Sequence, residues 1–177
     1  MRLFTAIDIP DEVRAALARL IARLKPLARI RWSAAENLHV TIKFIGEWPD
    51  ARVAEVHAAL RTVGSQPIDI AIGGVGWFPD DRHPRVLFVT VEAGPELAAL
   101  AASTDRALVS LGASAEPRAF RPHLTLARLR ERLPLEALRT GIEQLAAAPF
   151  GSFTATVQHL YVSRGGKYSK LGSFSFA

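Results

Sequence analysis

One segment and its echo restrict this chain more than anything else in it. Asn37-Leu38-His39-Val40-Thr41-Ile42-Lys43-Phe44-Ile45-Gly46 and Pro122-His123-Leu124-Thr125-Leu126-Ala127-Arg128-Leu129 both read as β-strands, rich in apolar and β-branched residues. Side chains alternate along a strand, so His39 and Thr41 share one face while Val40 and Ile42 take the other. His123 and Thr125 stand in the same relation to Leu124 and Leu126. Each strand therefore offers an imidazole and a hydroxyl above an apolar face fit for burial. On an ideal strand Lys43 joins the His39 face. Arg128 falls opposite His123 and reaches its face only if a bulge intervenes.

The two histidines are 84 positions apart, as are Thr41 and Thr125. The same shift lays Leu3-Phe4 on Leu87-Phe88, Ile7 on Val91 and Trp77 on Tyr161. Strands are expected at residues 2–7, 68–72 (continuing extended through 73–78), 86–91, 151–163 and 168–176, with a turn at 164–167. Apolar residues at helical spacing, bounded by Pro and Gly, predict helices over 11–25, 52–63, 95–111 and 135–147. The repeated order implies an internal duplication. The expected fold is α+β: one bilobal domain over residues 1–177, its two pseudo-symmetric lobes each a mostly antiparallel sheet with helices outside. Symmetry then sets the two His strands against each other across a cleft.

Cysteine is absent, which excludes disulfides, thiolate catalysis and zinc sites built on sulfur. The opening apolar run is too short and too charged for a signal peptide. No stretch is long and apolar enough for a membrane span. A cytoplasmic protein with no membrane role is the default. The net charge of +5 and the pI of about 10.2 suit an anionic partner such as nucleic acid. A GC-rich coding sequence would produce the same excess of arginine.

Two imidazoles near neutral pH can divide the work of general base and general acid. Displacement at phosphorus is in line, so nucleophile and leaving oxygen lie on opposite sides, as two-fold placement of histidines requires. Thr41 and Thr125 can donate to the non-bridging oxygens, where negative charge gathers. A cyclic phosphodiester suits such a site. Metal ligation is the rival use of two histidines, yet zinc needs three or four ligands and neither strand supplies a second histidine or a neighbouring carboxylate. No metal and no cofactor are expected.

The paired motifs resemble those of the two-histidine (2H) phosphoesterase superfamily. Within it the chain is most similar to the RNA 2′,3′-cyclic phosphodiesterases, also called 2′-5′ RNA ligases. The resemblance rests on residues 2–10, on Asn37 to Thr41 with Phe44 to Glu47, on Arg121 to Leu126 with Arg128, and on Leu160 to Ser163 ahead of residues 168–171. It implies metal-independent hydrolysis of an RNA-terminal 2′,3′-cyclic phosphate to a 2′-phosphomonoester, His39 being the proton donor and His123 the proton acceptor. Ligation through a 2′-5′ linkage is implied as a side activity. Implied partners are RNA ends, whether single-stranded RNA or tRNA fragments, with no obligatory protein partner. A small cyclic nucleotide or an ADP-ribose cyclic phosphate is the alternative substrate, and a non-catalytic RNA-end-binding module the alternative role. Lys43 and Arg128 are further candidates for binding substrate at its phosphates, with Arg118 and Arg121 steering the RNA backbone. Tyr161, Trp77, Phe120 and Trp32 are candidates for stacking on a base, though each also suits a core. His57, His83 and His159 have no partner at useful spacing and read as structural.

Overall fold

A computed structural model describes residues 1–146 and 149–177. Among them the chain runs β1 (Arg2–Asp8), α1 (Asp11–Leu24), β2 (Arg31–Trp32), β3 (His39–Glu47), α2 (Val53–Arg61), β4 (Ile68–Phe78), β5 (Val86–Ala93), α3 (Pro95–Val109), β6 (His123–Arg128), α4 (Glu136–Leu145), β7 (Gly151–Ala155), β8 (Val157–Arg164) and β9 (Lys167–Ser175). Helix α1 forms where its pattern dictates. Pro10 caps its start, Asp11 and Glu12 complement the dipole of the first turn, and a short turn holding Pro26 ends it. Its periodic positions Val13, Leu17, Leu20, Ile21 and Leu24 are the buried ones. Of the fourth expected helix, Ala147 lies outside the described residues.

The strands form two sheets, ordered β3-β1-β8-β9 and β2-β6-β5-β4-β7, in which every pairing is antiparallel. Helices α2 and α3 cover the first sheet around Leu3, Ile45, Val56, Leu60, Leu108 and Val162. Helices α1 and α4 cover the second around Leu17, Ile70, Val89, Leu126 and Leu138. The α+β, two-lobed arrangement is thus present, but the lobes are not the two halves of the sequence. Strand β4 leaves the first half to pair with β5, and β8 leaves the second half to pair with β1. Residues 151–163, expected as one strand, are two: the chain breaks at Thr156, so that β7 edges one sheet while β8 enters the other.

Pairing also refines the repeat. Thr41 sits opposite Ala6, and Thr125 sits opposite Phe88. The His strands therefore match at the shift of 84, whereas the opening strands match at 82. Phe78, not Trp77, takes the place of Tyr161. The slip of two in the opening strands returns each of their side chains to its own face, so it leaves no trace in the hydrophobic pattern.

Candidate active site

Strands β3 and β6 run beside each other where the sheets meet, which brings the two motifs to one seam. Both strands carry a bulge at the same step. Ala6 and Thr5 face Thr41 and Lys43, leaving Ile42 as an extra residue; Phe88 and Leu87 face Thr125 and Ala127, leaving Leu126 extra. A bulge places two successive side chains on one side of the sheet. Ile42 and Lys43 are accordingly both buried, as are Leu126 and Ala127, and the next residues, Phe44 and Arg128, turn outward on the histidine side. Arg128 thereby gains the face that strict alternation denied it.

The same bulge removes Lys43 from the candidate phosphate ligands. Its side chain is 3% exposed, and its ammonium donates to Asp105 Oδ1 of α3 at 2.6 Å and to the Ser114 carbonyl at 2.8 Å. Burial works to raise the Asp105 pKa, but hydrogen bonds from Lys43 and the Glu116 amide leave it below the usual carboxylate value. Lys43 ties β3 to α3; it does not face the groove.

The two imidazoles are clamped alike. His39 Nδ1 lies 2.6 Å from the carbonyl oxygen of Asn37, and His123 Nδ1 lies 2.8 Å from that of Arg121. A carbonyl only accepts, so Nδ1–H is the donor in both and Nε2 is left free for chemistry. In the neutral ring, Thr41 Oγ1 donates to His39 Nε2 across 2.9 Å. Beyond these clamps the surroundings differ. His39 is stacked on Phe4 at 5.0 Å, and Tyr168 meets its edge at 5.5 Å. His123 is held by the rings of Phe78 at 4.9 Å and Phe88 at 5.6 Å. Burial lowers both pKa values. Asp8 opposes that shift at His39 while Arg14 and Arg128 add to it; at His123 both Arg128 and Arg121 add to it.

A groove of about 1040 Å³ runs along the seam, lined by His39, Thr41 and Thr125. Phe4, Phe44 and Tyr168 line it from the four-stranded sheet, Trp32 and Arg128 from the five-stranded sheet, and Arg2, Arg31 and Arg130 add charge. His123 lies past its boundary, one alternation along β6 from Thr125. Phe44 is 55% exposed and Tyr168 38%, unusual exposure for large aromatic side chains.

The other sequence candidates are employed elsewhere. The Arg121 guanidinium stacks over Phe78 at 4.7 Å, beside His123 but outside the groove. Tyr161 does not line the groove either. Its ring lies behind Phe4 at 5.3 Å and its hydroxyl donates to Asp8 Oδ1 at 2.5 Å, which with burial raises its pKa. Trp77 carries the guanidinium of Arg139, and Phe120 packs on the core. His57 packs against Phe174, and His83 sits in an exposed loop near Asp80. His159 is buried beside Asp8. Sequence reasoning missed Phe44 and Tyr168; the shift of 84 that pairs Phe44 with Arg128 was the available signal. It also missed Asp8, which no spacing rule marks. No group of three or more metal-ligating side chains gathers among the described residues, and no described helix is long and apolar enough to cross a membrane.

The LigT-like phosphoesterase family matches residues 7–88 and again residues 89–167. The RNA 2′,3′-cyclic phosphodiesterase of Archaeoglobus fulgidus is 34% identical over 134 residues, 76% of each chain. That of Methanocaldococcus jannaschii is 32% identical over 163 residues, 92% of this chain and 91% of its own. The crystal structure of TT0787 from Thermus thermophilus aligns with a TM-score of 0.82 and 26% identity, covering 99% of this chain and 98% of that one. LigT of E. coli, solved in complex with 3′-AMP, shares the fold at a TM-score of 0.78 and 24% identity, over 99% of this chain and 97% of its own.

Proposed function

Since this chain belongs to the LigT-like phosphoesterase family, we propose that it opens the 2′,3′-cyclic phosphate at RNA ends to a 2′-phosphomonoester. Water attacks phosphorus and gives its proton to His123 Nε2. The bond to the 3′-oxygen breaks, and His39 Nε2 supplies the proton that oxygen needs. Thr41 and Thr125 donate to the non-bridging oxygens as their charge grows. A 5′-hydroxyl in place of water would form a 2′-5′ linkage by the same displacement. The enzyme acts in the cytoplasm and requires no protein partner, because one chain supplies both histidines.

The observation that carries this reading is the matched pair of clamps. Two imidazoles on pseudo-equivalent strands each donate Nδ1–H to the carbonyl two residues back and leave Nε2 for the substrate. The unequal charges around them support the division of labour. Burial and two guanidinium groups disfavour the imidazolium at each histidine, but only His39 has a carboxylate, Asp8, working in its favour, as suits a proton donor; His123 has none, as suits a base. A bound phosphodiester anion opposes the lowering of the His39 pKa by burial. The groove favours RNA over a small cyclic nucleotide. Its volume lies just above the usual range for small-ligand pockets, about 300–1000 Å³, and it offers exposed rings for bases with arginines for phosphates.

The test uses a short RNA ending in a 2′,3′-cyclic phosphate, incubated with wild type, His39→Ala and His123→Ala, with and without EDTA. A 2′-phosphate formed in EDTA and lost in both variants is the expected result. Loss of wild-type turnover in EDTA would refute the metal-free mechanism. Binding of the RNA without turnover would make the chain a binding module.

A further inference from the structure

Two imidazoles held by the same clamp need something to make them unequal, and the residue opposite each one in its sheet differs. Asp8 at the end of β1 pairs directly with His39; Thr90 of β5, at the matching place, pairs with His123. Directly opposed residues of an antiparallel pair project their side chains onto one face as neighbours. The Asp8 carboxylate accepts the Tyr161 hydroxyl on Oδ1 at 2.5 Å and the Lys170 ammonium on Oδ2 at 2.9 Å, with His159 Nε2 3.4 Å from the latter. His159 is itself anchored to Ser173 at 2.8 Å. Tyr161 continues the assembly as a stack, its ring on Phe4 at 5.3 Å and Phe4 on His39 at 5.0 Å. Asp8 is thus fixed in place, and through Tyr161 and Phe4 it is joined to the ring whose proton it influences.

We infer that Asp8 is a positioning residue that holds a fixed negative charge opposite His39, and that Thr90 at the equivalent place leaves His123 without one. This rests on the reading above, in which His39 is the donor. The groups acting on His39 are Asp8 from β1, Arg14 from α1, Arg128 from β6, Tyr161 from β8 and Tyr168 from β9, while His159 of β8 and Lys170 of β9 face Asp8. Asp8 is the only carboxylate among them. Burial alone would raise the Asp8 pKa, but the Tyr161 and Lys170 hydrogen bonds keep it below the ordinary value, so the carboxylate stays ionised throughout the working range. The positive charges on Lys170, Arg14 and Arg128 temper its effect without cancelling its position.

A carboxylate beside an imidazolium stabilises it and raises its pKa; removing the carboxylate lowers that pKa. A donor must be protonated, so the basic limb of kcat then moves to lower pH.

The experiment follows the ring resonances of His39 and His123 by NMR titration of the intact chain, as wild type, Asp8→Asn and Thr90→Asp. In Asp8→Asn the His39 midpoint falls by about half to one pH unit, with the His123 midpoint unmoved. In Thr90→Asp the His123 midpoint rises, which keeps the test decisive should Asp8→Asn fail to fold. An unmoved His39 midpoint, or equal movement of both midpoints, would overturn the inference and reduce Asp8 to a prop for Tyr161. The pH profile of kcat then separates the two readings. A basic limb that shifts with the midpoint supports both; a shifted midpoint with a stationary limb supports the influence of Asp8 and refutes the donor role of His39.

Discussion

Residues 39–44 and 123–128 are the same device built twice. Each strand sets histidine and threonine on one face, bulges at the fourth residue, and returns its sixth residue to that face. What the copies place after the bulge differs: Lys43 and Phe44 in one, Ala127 and Arg128 in the other. The first strand commits its lysine to an internal tie with Asp105 and presents a bare aromatic ring to the groove. The second buries a small residue and presents a guanidinium. A shared backbone has become two walls, one suited to a base and the other to a phosphate. The strands share the placement of histidine and threonine and differ in the side chains they turn to the groove beyond them.

The two strands can be set apart at several depths, the deepest being the histidines. His39→Ala and His123→Ala are each expected to lose about 10²–10⁴-fold in cyclic-phosphate hydrolysis, and the double variant to be little worse than either single one, because the groups act as a unit. Single-turnover rates on one RNA decide it. Next, Thr41→Val and Thr125→Val should each reduce kcat by about 10²-fold. Thr41→Val should cost more, since only Thr41 is also hydrogen-bonded to its histidine.

At the sixth position the walls should separate by salt. Phe44→Ala is expected to weaken binding of a 3′-phosphorylated RNA about tenfold at any ionic strength. Arg128→Ala should weaken it while reducing the dependence of log affinity on log salt by about 0.7. Fluorescence anisotropy titrations across a salt series measure both. At the fifth position the expected change is in stability, not chemistry. Asp105→Asn leaves a buried lysine without its anion and should cost about 3 kcal/mol, more than Lys43→Met, as read from urea unfolding. The gentlest probe is pH. Burial and two neighbouring guanidinium groups hold the His123 pKa below the ordinary imidazole value. The base stays neutral to lower pH, so the acidic limb of kcat/KM should fall below about pH 6.5. A limb above that value would contradict the environment described for His123.

Much of this site was legible in the sequence because its signals are local. Histidine and threonine two apart on an apolar strand share a face whatever the sheet does next. The fate of Lys43 was not legible, because no residue in Val40 to Phe44 announces a bulge; the extra residue is visible only against the pairing of Thr5 and Ala6. The condition attached to Arg128, that a bulge must intervene, is the one the structure meets. Tyr161 failed as a stacking residue for a related reason. Its partners, Asp8 and Lys170, are far from it along the chain or on the neighbouring strand, and only the sheet brings them together. The helices were legible from their period, but the exchange of strands was not, since Thr156 interrupts residues 151–163 without a glycine or proline to mark the break.

That exchange has a consequence for how such a chain could have arisen and how it must assemble. Neither half contains the strands needed to complete its own sheet: β1 and β3 need β8, and β5 and β6 need β4. A fragment ending near residue 84 would therefore close its sheet only by taking β4 from a second copy, as an intertwined dimer. The present chain has the strand exchange that such a dimer would have. Its folding has to wait for partners more than a hundred residues apart to meet, which makes late pairing of β8 with β1 the natural slow step.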